Sequence, residues 1–225
     1  MAAGVTVKLE KKYSDMRLLI IGASRGIGLE TARQALEAGY RVRAFARSTA
    51  ANLNSNSSLE HIRGDALNVE DVKKALVGVD VVIQTLGVGI GELFRPVHLF
   101  SEATEILIGA MKTQKVKRLI CVTGFGAGDS RASISCLQRL PFQVVFGRAY
   151  DDKSLQEQLI KDSELDWTIA RPGVLTSGRR TNHYKILSEA SQFRNGIISR
   201  ANVADFLVRQ IVDQTYIHKA PVLVS

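Results

Sequence analysis

Short apolar runs alternate with longer stretches of mixed polarity along most of this chain. Apolar runs of about four to eight residues are typical of parallel strands buried on both faces of a sheet. These runs predict strands over residues 17–21, 41–46, 61–62, 79–84, 118–122, 167–171, 184–187 and 222–224. The stretches between them carry apolar residues at the spacing of one helix face, which predicts amphipathic helices.

The predicted helices cover residues 28–38, 69–76, 96–112, 151–162 and 200–214. In the first, Thr31 and Ala35 share one face, and Gly39 is suited to end the helix. Strands and helices in this alternating order predict an α/β fold. We expect a single-domain Rossmann-type doubly wound parallel sheet with helices on both faces.

The predicted domain covers residues 16–225. Residues 1–15 precede it as an extension, which would be either a flexible tail or an added edge element. Residues 173–198 have a weaker periodicity than the rest, and we expect them to form a small substrate-side region next to the sheet. Within that region, His183 and Tyr184 are candidates for contacts with a substrate.

Composition supports a compact domain and excludes several other classes of protein. The chain has 225 residues, of which 45% are hydrophobic and 23% charged, so it is neither disordered, collagen-like nor a coiled coil. Two cysteines cannot form a disulfide framework or a four-ligand zinc site. The four histidines have no metal-ligand spacing, so no metal site is expected. We expect free thiols and a cytoplasmic protein.

The charge balance points to an anionic ligand. The formal net charge is +8, but the basic residues are scattered and form no stripe with interleaved aromatic residues. This pattern favours a phosphorylated cofactor over nucleic acid. No apolar run reaches the roughly 18 residues of a membrane span, and residues 1–15 have no apolar signal core.

A glycine-rich loop follows the first predicted strand and opens the first predicted helix. It has Gly22, Gly26 and Gly28 in the spacing Gly-x3-Gly-x-Gly. Glycines let a pyrophosphate approach the backbone, and the helix N-terminus offers free N–H groups to it. The loop therefore predicts nucleotide binding through residues Gly22, Ser24, Arg25, Gly26, Ile27 and Gly28. A tight turn with chance glycines is the alternative.

The end of the second strand bears on which nucleotide is bound. NAD sites usually place a carboxylate there, about 20 residues after the glycines, to bind the ribose 2′-hydroxyl. This chain instead has Arg47 and Ser48 at that point, with Arg25 in the glycine loop. Because guanidinium groups bind phosphates through charge-assisted hydrogen bonds, the cofactor is predicted to be NADP (NADPH). The alternative is that Arg47 is only a solvated charge.

Three further loops leave the carboxyl ends of predicted strands, where ligands bind in open α/β sheets. Asp65 and Ala66 follow the third strand, and Asp65 would either bind an adenine amino group or order its own turn. Leu86, Gly87 and Val88 follow the fourth strand, and Thr123 follows the fifth. All of these are candidate cofactor contacts.

Several segments together resemble the atypical short-chain dehydrogenase/reductases, which include NmrA-like proteins and flavin/biliverdin-IXβ-type reductases. Besides the glycine loop, these are residues 64–66, 122–128, 151–153, 166–173 and 198–206. The resemblance implies that Pro172, Gly173 and Val174 pass the nicotinamide of the cofactor.

The resemblance also implies roles for Thr123, Tyr150 and Lys153 as catalytic candidates. The main superfamily places Tyr and Lys four residues apart, with Tyr as the proton donor. Here Tyr150 and Lys153 are three apart, which displaces them from that arrangement. The resemblance implies a basic residue near the nicotinamide at Lys153, which would either contact the cofactor or be a solvent-facing lysine.

The missing acid pair favours an NADPH-dependent oxidoreductase whose small-molecule acceptor is planar, such as a flavin or quinone. Hydride passes directly to such acceptors, and solvent can supply the proton. One alternative is an NADP(H)-binding redox sensor or scaffold without turnover. Another is a carbonyl or sugar-nucleotide enzyme that uses Thr123, Tyr150 and Lys153.

Overall fold

The computed structural model describes residues 15–48, 53, 57–87, 98–134 and 136–225. The first half of the fold alternates strands and helices: β1 (Arg17–Ile21), α1 (Gly26–Glu37), β2 (Arg41–Ala46), β3 (Leu59–Arg63), α2 (Val69–Leu76), β4 (Val81–Gln84), α3 (Leu99–Gln114) and β5 (Arg118–Val122). The second half contains α4 (Cys136–Lys161), β6 (Asp166–Pro172), β7 (Val174–Thr176), β8 (Lys185–Leu187), β9 (Ile197–Ser199), α5 (Arg200–Arg209) and β10 (Val222–Val224).

An eight-stranded sheet forms the centre of the domain, in the order β3-β2-β1-β4-β5-β6-β10-β8. Its strands pair in parallel, except that β8 is antiparallel to β10. The first six follow the strand order of doubly wound dinucleotide-binding folds, which confirms the predicted fold class. A separate pair, β7 and β9, extends beyond the end of β6.

Strand alternation divides the core between the two faces of the sheet. Leu18 and Ile20 of β1 face a cluster that includes residues of α1 and α5. Their neighbours Leu19 and Ile21 face the opposite cluster, which includes residues of α2, α3 and α4. Because β1 is buried on both faces, it needs the continuous apolar run from which it was predicted.

Several boundaries differ from the prediction. Helix α4 begins at Cys136 and not near residue 151. The sequence did not indicate this start, because Pro141 and Gly147 normally weaken a helix interior. Helix α5 ends at Arg209, and a turn over residues 210–212 follows it.

The described part of the chain has no cluster of three or more histidine, cysteine, aspartate or glutamate residues that could bind a metal ion. None of its helices combines the length and the apolar character that a membrane span requires. Of the cysteines, Cys121 is free and buried.

Candidate functional site

A cleft of about 950 Å³ crosses the carboxyl edge of the sheet. It lies where the chain order reverses between β1 and β4, which is the usual ligand position in such sheets. Most predicted site residues line it: Gly22, Ser24, Arg25, Gly26, Ile27, Arg47, Ser48, Asp65, Ala66, Leu86, Gly87, Thr123, Tyr150, Lys153 and Pro172. Its lining also includes Leu99, Phe100, Leu175 and Arg200, which the sequence pattern did not single out.

The glycine loop places backbone at the floor of the cleft. Gly22 has a φ of +88°, and a Cβ there would lie 2.9 Å from the Thr85 carbonyl oxygen. At Gly28 a Cβ would overlap the Gly22 carbonyl and the Thr85 hydroxyl, so this glycine allows α1 to pack against β1 and β4. Gly26 has open space on its Cβ side. The three glycines thus bring bare backbone to the floor of the cleft.

The N-terminus of α1 is suited to bind an anion. Arg25 precedes the helix without a side-chain capping bond, and the first turn contains no acidic residue. The first N–H groups of the helix therefore have no side-chain acceptor there, and the helix dipole adds positive potential. These features fit a pyrophosphate at this point.

Three arginines surround the adjoining end of the cleft. Arg25 and Arg47 line it as exposed side chains. Neither forms an ion pair within the described residues. A small hollow beside them is lined by Ser24, Ser48 and Arg63. The sequence did not indicate that Arg63 belongs to this site, because a single charged residue at the end of an exposed edge strand is common. This arrangement fits a 2′-phosphate.

Asp65 lies in the same part of the cleft and has a local role. Its Oδ1 accepts a hydrogen bond from the Leu67 N–H at 3.0 Å, while its own N–H donates to Asp71 at 3.0 Å. Asp65 therefore orders its own turn, while its Oδ2 accepts no hydrogen bond from the described residues. A second acceptor atom thus remains for an adenine amino group, so the two interpretations are compatible.

Phe100 reaches the cleft because a buried carboxylate holds the start of α3. The Phe100 N–H donates to Asp152 Oδ2 at 2.8 Å, and the Ser101 hydroxyl donates to Asp152 Oδ1. His98 precedes the helix and makes no capping bond. Asp152 of α4 therefore caps α3 from a distance, as an acidic group at a helix N-terminus does. The motif at residues 151–153 thus positions a ring as well as a lysine.

Lys153 lies over that ring. Its Nζ is 4.0 Å from the Phe100 ring centroid, which is a cation–π contact. Burial lowers the pKa of Lys153 to about 8, although Cys121, Glu157 and Asp152 partly offset this effect. The lysine thus lies beside an aromatic surface and loses its charge at mildly alkaline pH.

Tyr150 does not complete the expected acid pair. It lies near Gly124, where a Cβ would be 2.7 Å from the tyrosine Oη. Burial raises the pKa of Tyr150 to about 12. No hydrogen bond joins it to Lys153 or Thr123 among the side chains that the structure describes. The spacing of three residues is consistent with this outcome.

Thr123 directs its proton away from the cleft. Its hydroxyl donates to Glu157 Oε1 at 2.7 Å. Glu157 is buried and also accepts from Arg171 Nε at 2.9 Å. Burial alone would lower the pKa of Arg171, but the hydrogen bonds that it donates to Glu157 and Asp129, together with their negative charges, raise that pKa above its usual value. Because the Thr123 hydroxyl already donates its proton to Glu157, it can only accept a hydrogen bond from a ligand.

A few predicted residues lie elsewhere. Gly28 is at the helix–strand contact, and Gly173 packs against Gly196, where a Cβ would overlap its carbonyl. Val174 is 57% exposed, and Leu175 lines the cleft in its place. Gly173 separates β6 from β7, and in this segment Pro172 and Leu175 line the cleft. Val88 lies outside the described residues.

His183 and Tyr184 are not in the cleft lining. The Tyr184 hydroxyl donates to Asp205 Oδ2 at 2.8 Å, and its ring packs against the core. His183 Nδ1 lies 2.7 Å from the Thr181 carbonyl oxygen in an exposed turn. Both residues therefore stabilise the substrate-side region and do not face the cleft.

The fold and the cleft are those of a Rossmann-type NAD(P)H-binding protein. The family model described as NAD(P)H-binding matches residues 22–214, and the chain belongs to that family. The resemblance to atypical short-chain reductases is thereby confirmed, and so is the prediction of an enzyme.

Curated relatives are distant in sequence. The chain is 28% identical over 177 residues to YwnB of Bacillus subtilis, covering 76% of this chain and 78% of that protein. It is 24% identical over 230 residues to protein TIC 62 of Pisum sativum. That match covers 92% of this chain but only 42% of the pea protein.

Solved structures share the fold over almost the whole chain. ChuY of Escherichia coli O157:H7, described as an anaerobilin reductase, superimposes with a TM-score of 0.78 at 26% identity, covering 93% of this chain and 97% of ChuY. A short-chain dehydrogenase/reductase of Veillonella parvula in complex with NADP has a TM-score of 0.78 at 16% identity, covering 93% and 94% of the two chains. The second likeness shows the fold alone.

Proposed function

We propose that this protein is an NADPH-dependent reductase that transfers hydride to a small planar acceptor of the flavin or quinone type. One observation carries the proposal: a single cleft joins two arginines, which form no ion pair within the described residues, to a lysine that lies over a buried aromatic ring. Its volume of about 950 Å³ is at the upper end for small-molecule sites. Such a site accommodates a dinucleotide and a small acceptor together.

The residues divide the work of holding the cofactor. The glycine loop and the start of α1 would bind the pyrophosphate, and Arg25 and Arg47 would bind the 2′-phosphate. Thr123, Lys153 and Pro172 would surround the nicotinamide, which supplies the hydride when bound. The protein would then act chiefly by holding donor and acceptor together, an effect of proximity and orientation.

Thr123 and Tyr150 are both poorly suited to donate a proton to a substrate, which supports an acceptor that takes its proton from solvent. The Thr123 proton is committed to Glu157, and a raised pKa makes Tyr150 a poor acid. A carbonyl substrate needs a proton at its oxygen during hydride transfer. Flavins and quinones can take theirs from solvent. ChuY, described as an anaerobilin reductase, supports reductase chemistry in this fold.

A second function is favoured by the same incomplete acid pair. An NADP(H)-binding sensor or scaffold needs the cofactor end of the cleft but no reaction at the other end. Lys153 favours the reductase, because a sensor does not require a lysine held over a buried ring at the end of the cleft away from the arginines.

Steady-state oxidation of NADPH by the purified protein separates these functions. The acceptors would be FMN, riboflavin, a quinone and an aldehyde, with NADH run in parallel. We expect turnover with a flavin or quinone and a preference for NADPH. Tight NADPH binding without turnover on any acceptor would instead support the sensor.

The matched variant is Tyr150→Phe, which removes only the phenol hydroxyl. Flavin or quinone turnover should persist in it, since the acceptor takes its proton from solvent. Loss of turnover with unchanged NADPH affinity would support the carbonyl enzyme and contradict the proposal.

A further inference from the structure

Arg200 is a cleft residue to which the cofactor site assigns no role. It is the first residue of α5 and lines the cleft with Leu175. Its Nη1 is 3.5 Å from Ser177 Oγ, the one hydrogen bond recorded for this side chain in the described part of the chain. No carboxylate of the described residues forms an ion pair with it.

The position of Arg200 is electrostatically unfavourable without an anion. It adds a cation at the positive end of the α5 dipole, and the first turn of that helix has no acidic residue. Arg209, on the last turn of the same helix, has the opposite situation, because its Nε pairs with Asp205 Oδ2 at 2.8 Å. An anion in the cleft would stabilise the positive charge of Arg200.

In the proposed function, the cofactor's phosphates would be held elsewhere in the cleft. The glycine loop and the start of α1 fit the pyrophosphate, and Arg25 and Arg47 fit the 2′-phosphate. Arg200 follows the β7–β9 pair, where Thr176 is in register with Ser199. Between residues 173 and 200, Leu175 and Arg200 line the cleft, so Arg200 is the basic residue that this segment brings to it.

We propose that Arg200 binds an anionic group, a phosphate, carboxylate or sulfonate, that is carried by the acceptor. The protein would then select anionic planar acceptors over neutral ones of the same ring structure. This inference rests on the proposed reductase function. It adds a specificity residue that no local motif indicates, because Arg200 reaches the cleft through the packing of α5 beside α1.

FMN and riboflavin test the inference because they share one ring system and differ by a phosphate. Their dissociation constants would be measured by flavin fluorescence on protein saturated with NADP⁺, so that no turnover is needed. We expect wild type to bind FMN at least about tenfold more tightly, as charge-assisted contacts to phosphate suggest. Arg200→Gln should abolish this preference, and Arg200→Lys should keep part of it.

Arg209→Gln is the matched control, since it removes an arginine from the same helix outside the cleft, and it should behave as wild type. Equal affinities for the two flavins in wild type, or no binding of either, would overturn the inference. A loss of NADP⁺ affinity in Arg200→Gln would also overturn it and would assign Arg200 to the cofactor pyrophosphate.

The experiments distinguish a failure of the proposed reductase function from a failure of the inference about Arg200. If NADPH oxidation by riboflavin or a neutral quinone persists while Arg200→Gln leaves FMN binding unchanged, the reductase stands and the inference about Arg200 is wrong.

Discussion

The two ends of the cleft are built in different ways. The cofactor end consists mainly of backbone and loop residues that follow β1, β2 and β3 closely in the chain. The opposite end depends on side chains that are far apart in sequence. Asp152 holds Phe100 across 52 positions, and Thr123 donates to Glu157 across 34. One end is thus encoded by local spacing and the other by tertiary packing.

This difference predicts different responses to mutation. Changes at the cofactor end should alter nucleotide affinity with little loss of stability, except where a glycine allows close packing. Changes at the opposite end should affect stability first, because its polar groups are buried and depend on one another. Four measurements test or sharpen the contrast.

The largest effect is expected for Arg171→Met. It leaves the buried carboxylate of Glu157 without its main partner, which should lower the free energy of unfolding by about 3–5 kcal/mol. Urea denaturation measures this loss. The double variant Arg171→Met/Glu157→Leu removes both charges and should recover much of it. A loss below about 1 kcal/mol in the single variant would contradict the importance of this ion pair.

Arg47→Asp should change nucleotide preference without unfolding the protein. Charged hydrogen bonds contribute about 1.5–3 kcal/mol, so NADPH affinity should fall roughly 10- to 100-fold. The new carboxylate can bind the ribose 2′-hydroxyl of NADH. Calorimetric titration with both nucleotides would test this reversal. Tighter binding of NADH than NADPH by wild type would contradict the assignment of Arg47.

Gly28→Ala tests whether a glycine at the cofactor end is also needed for stability, because it allows close packing. Its Cβ would overlap the Gly22 carbonyl, so we expect a loss of about 1–3 kcal/mol in unfolding free energy together with weaker NADPH binding. Gly109→Ala is the control, because a Cβ there meets open space on α3 and should stabilise the helix by up to about 1 kcal/mol. Equal stability of the two variants would show that the Gly28 contact relaxes freely.

The smallest effect concerns pH. Because the pKa of Lys153 is lowered to about 8, its positive charge is largely present at pH 7 and lost by pH 9. If the lysine contacts the cofactor, NADPH affinity should fall up to about fivefold over this range, as a partly solvated ion pair allows. Lys153→Met should bind more weakly at pH 7 and show a flat profile. A wild-type profile that is already flat would contradict the contact.

The contrast also explains what could be predicted from the sequence. The glycine loop, Arg47 and Asp65 have fixed distances from strand ends, and the parallel sheet brings strand ends to one edge. Apolar runs likewise predicted β1, β2 and β5 with the bounds that the structure has. Each of these features is determined by residues that lie close to it in the sequence.

The other end could not be predicted in this way. Phe100 and Arg200 are ordinary residues at helix starts, and their place in the cleft depends on Asp152 and on the packing of α5 beside α1. His183 and Tyr184 do not line the cleft, and weak periodicity could not show which way their side chains face. For the same reason the sequence did not indicate that Leu175, and not Val174, lines the cleft.

A single-turnover reaction tests the central claim most directly. Protein loaded with NADPH would be mixed anaerobically with FMN, and the absorbance of the reduced nicotinamide and the oxidised flavin would be followed together, with C4-deuterated NADPH as the comparison. The account predicts that both absorbances fall at one rate, which deuterium slows. NADPH that stays reduced while both ligands are bound would contradict hydride transfer and identify the protein as a nucleotide-binding sensor.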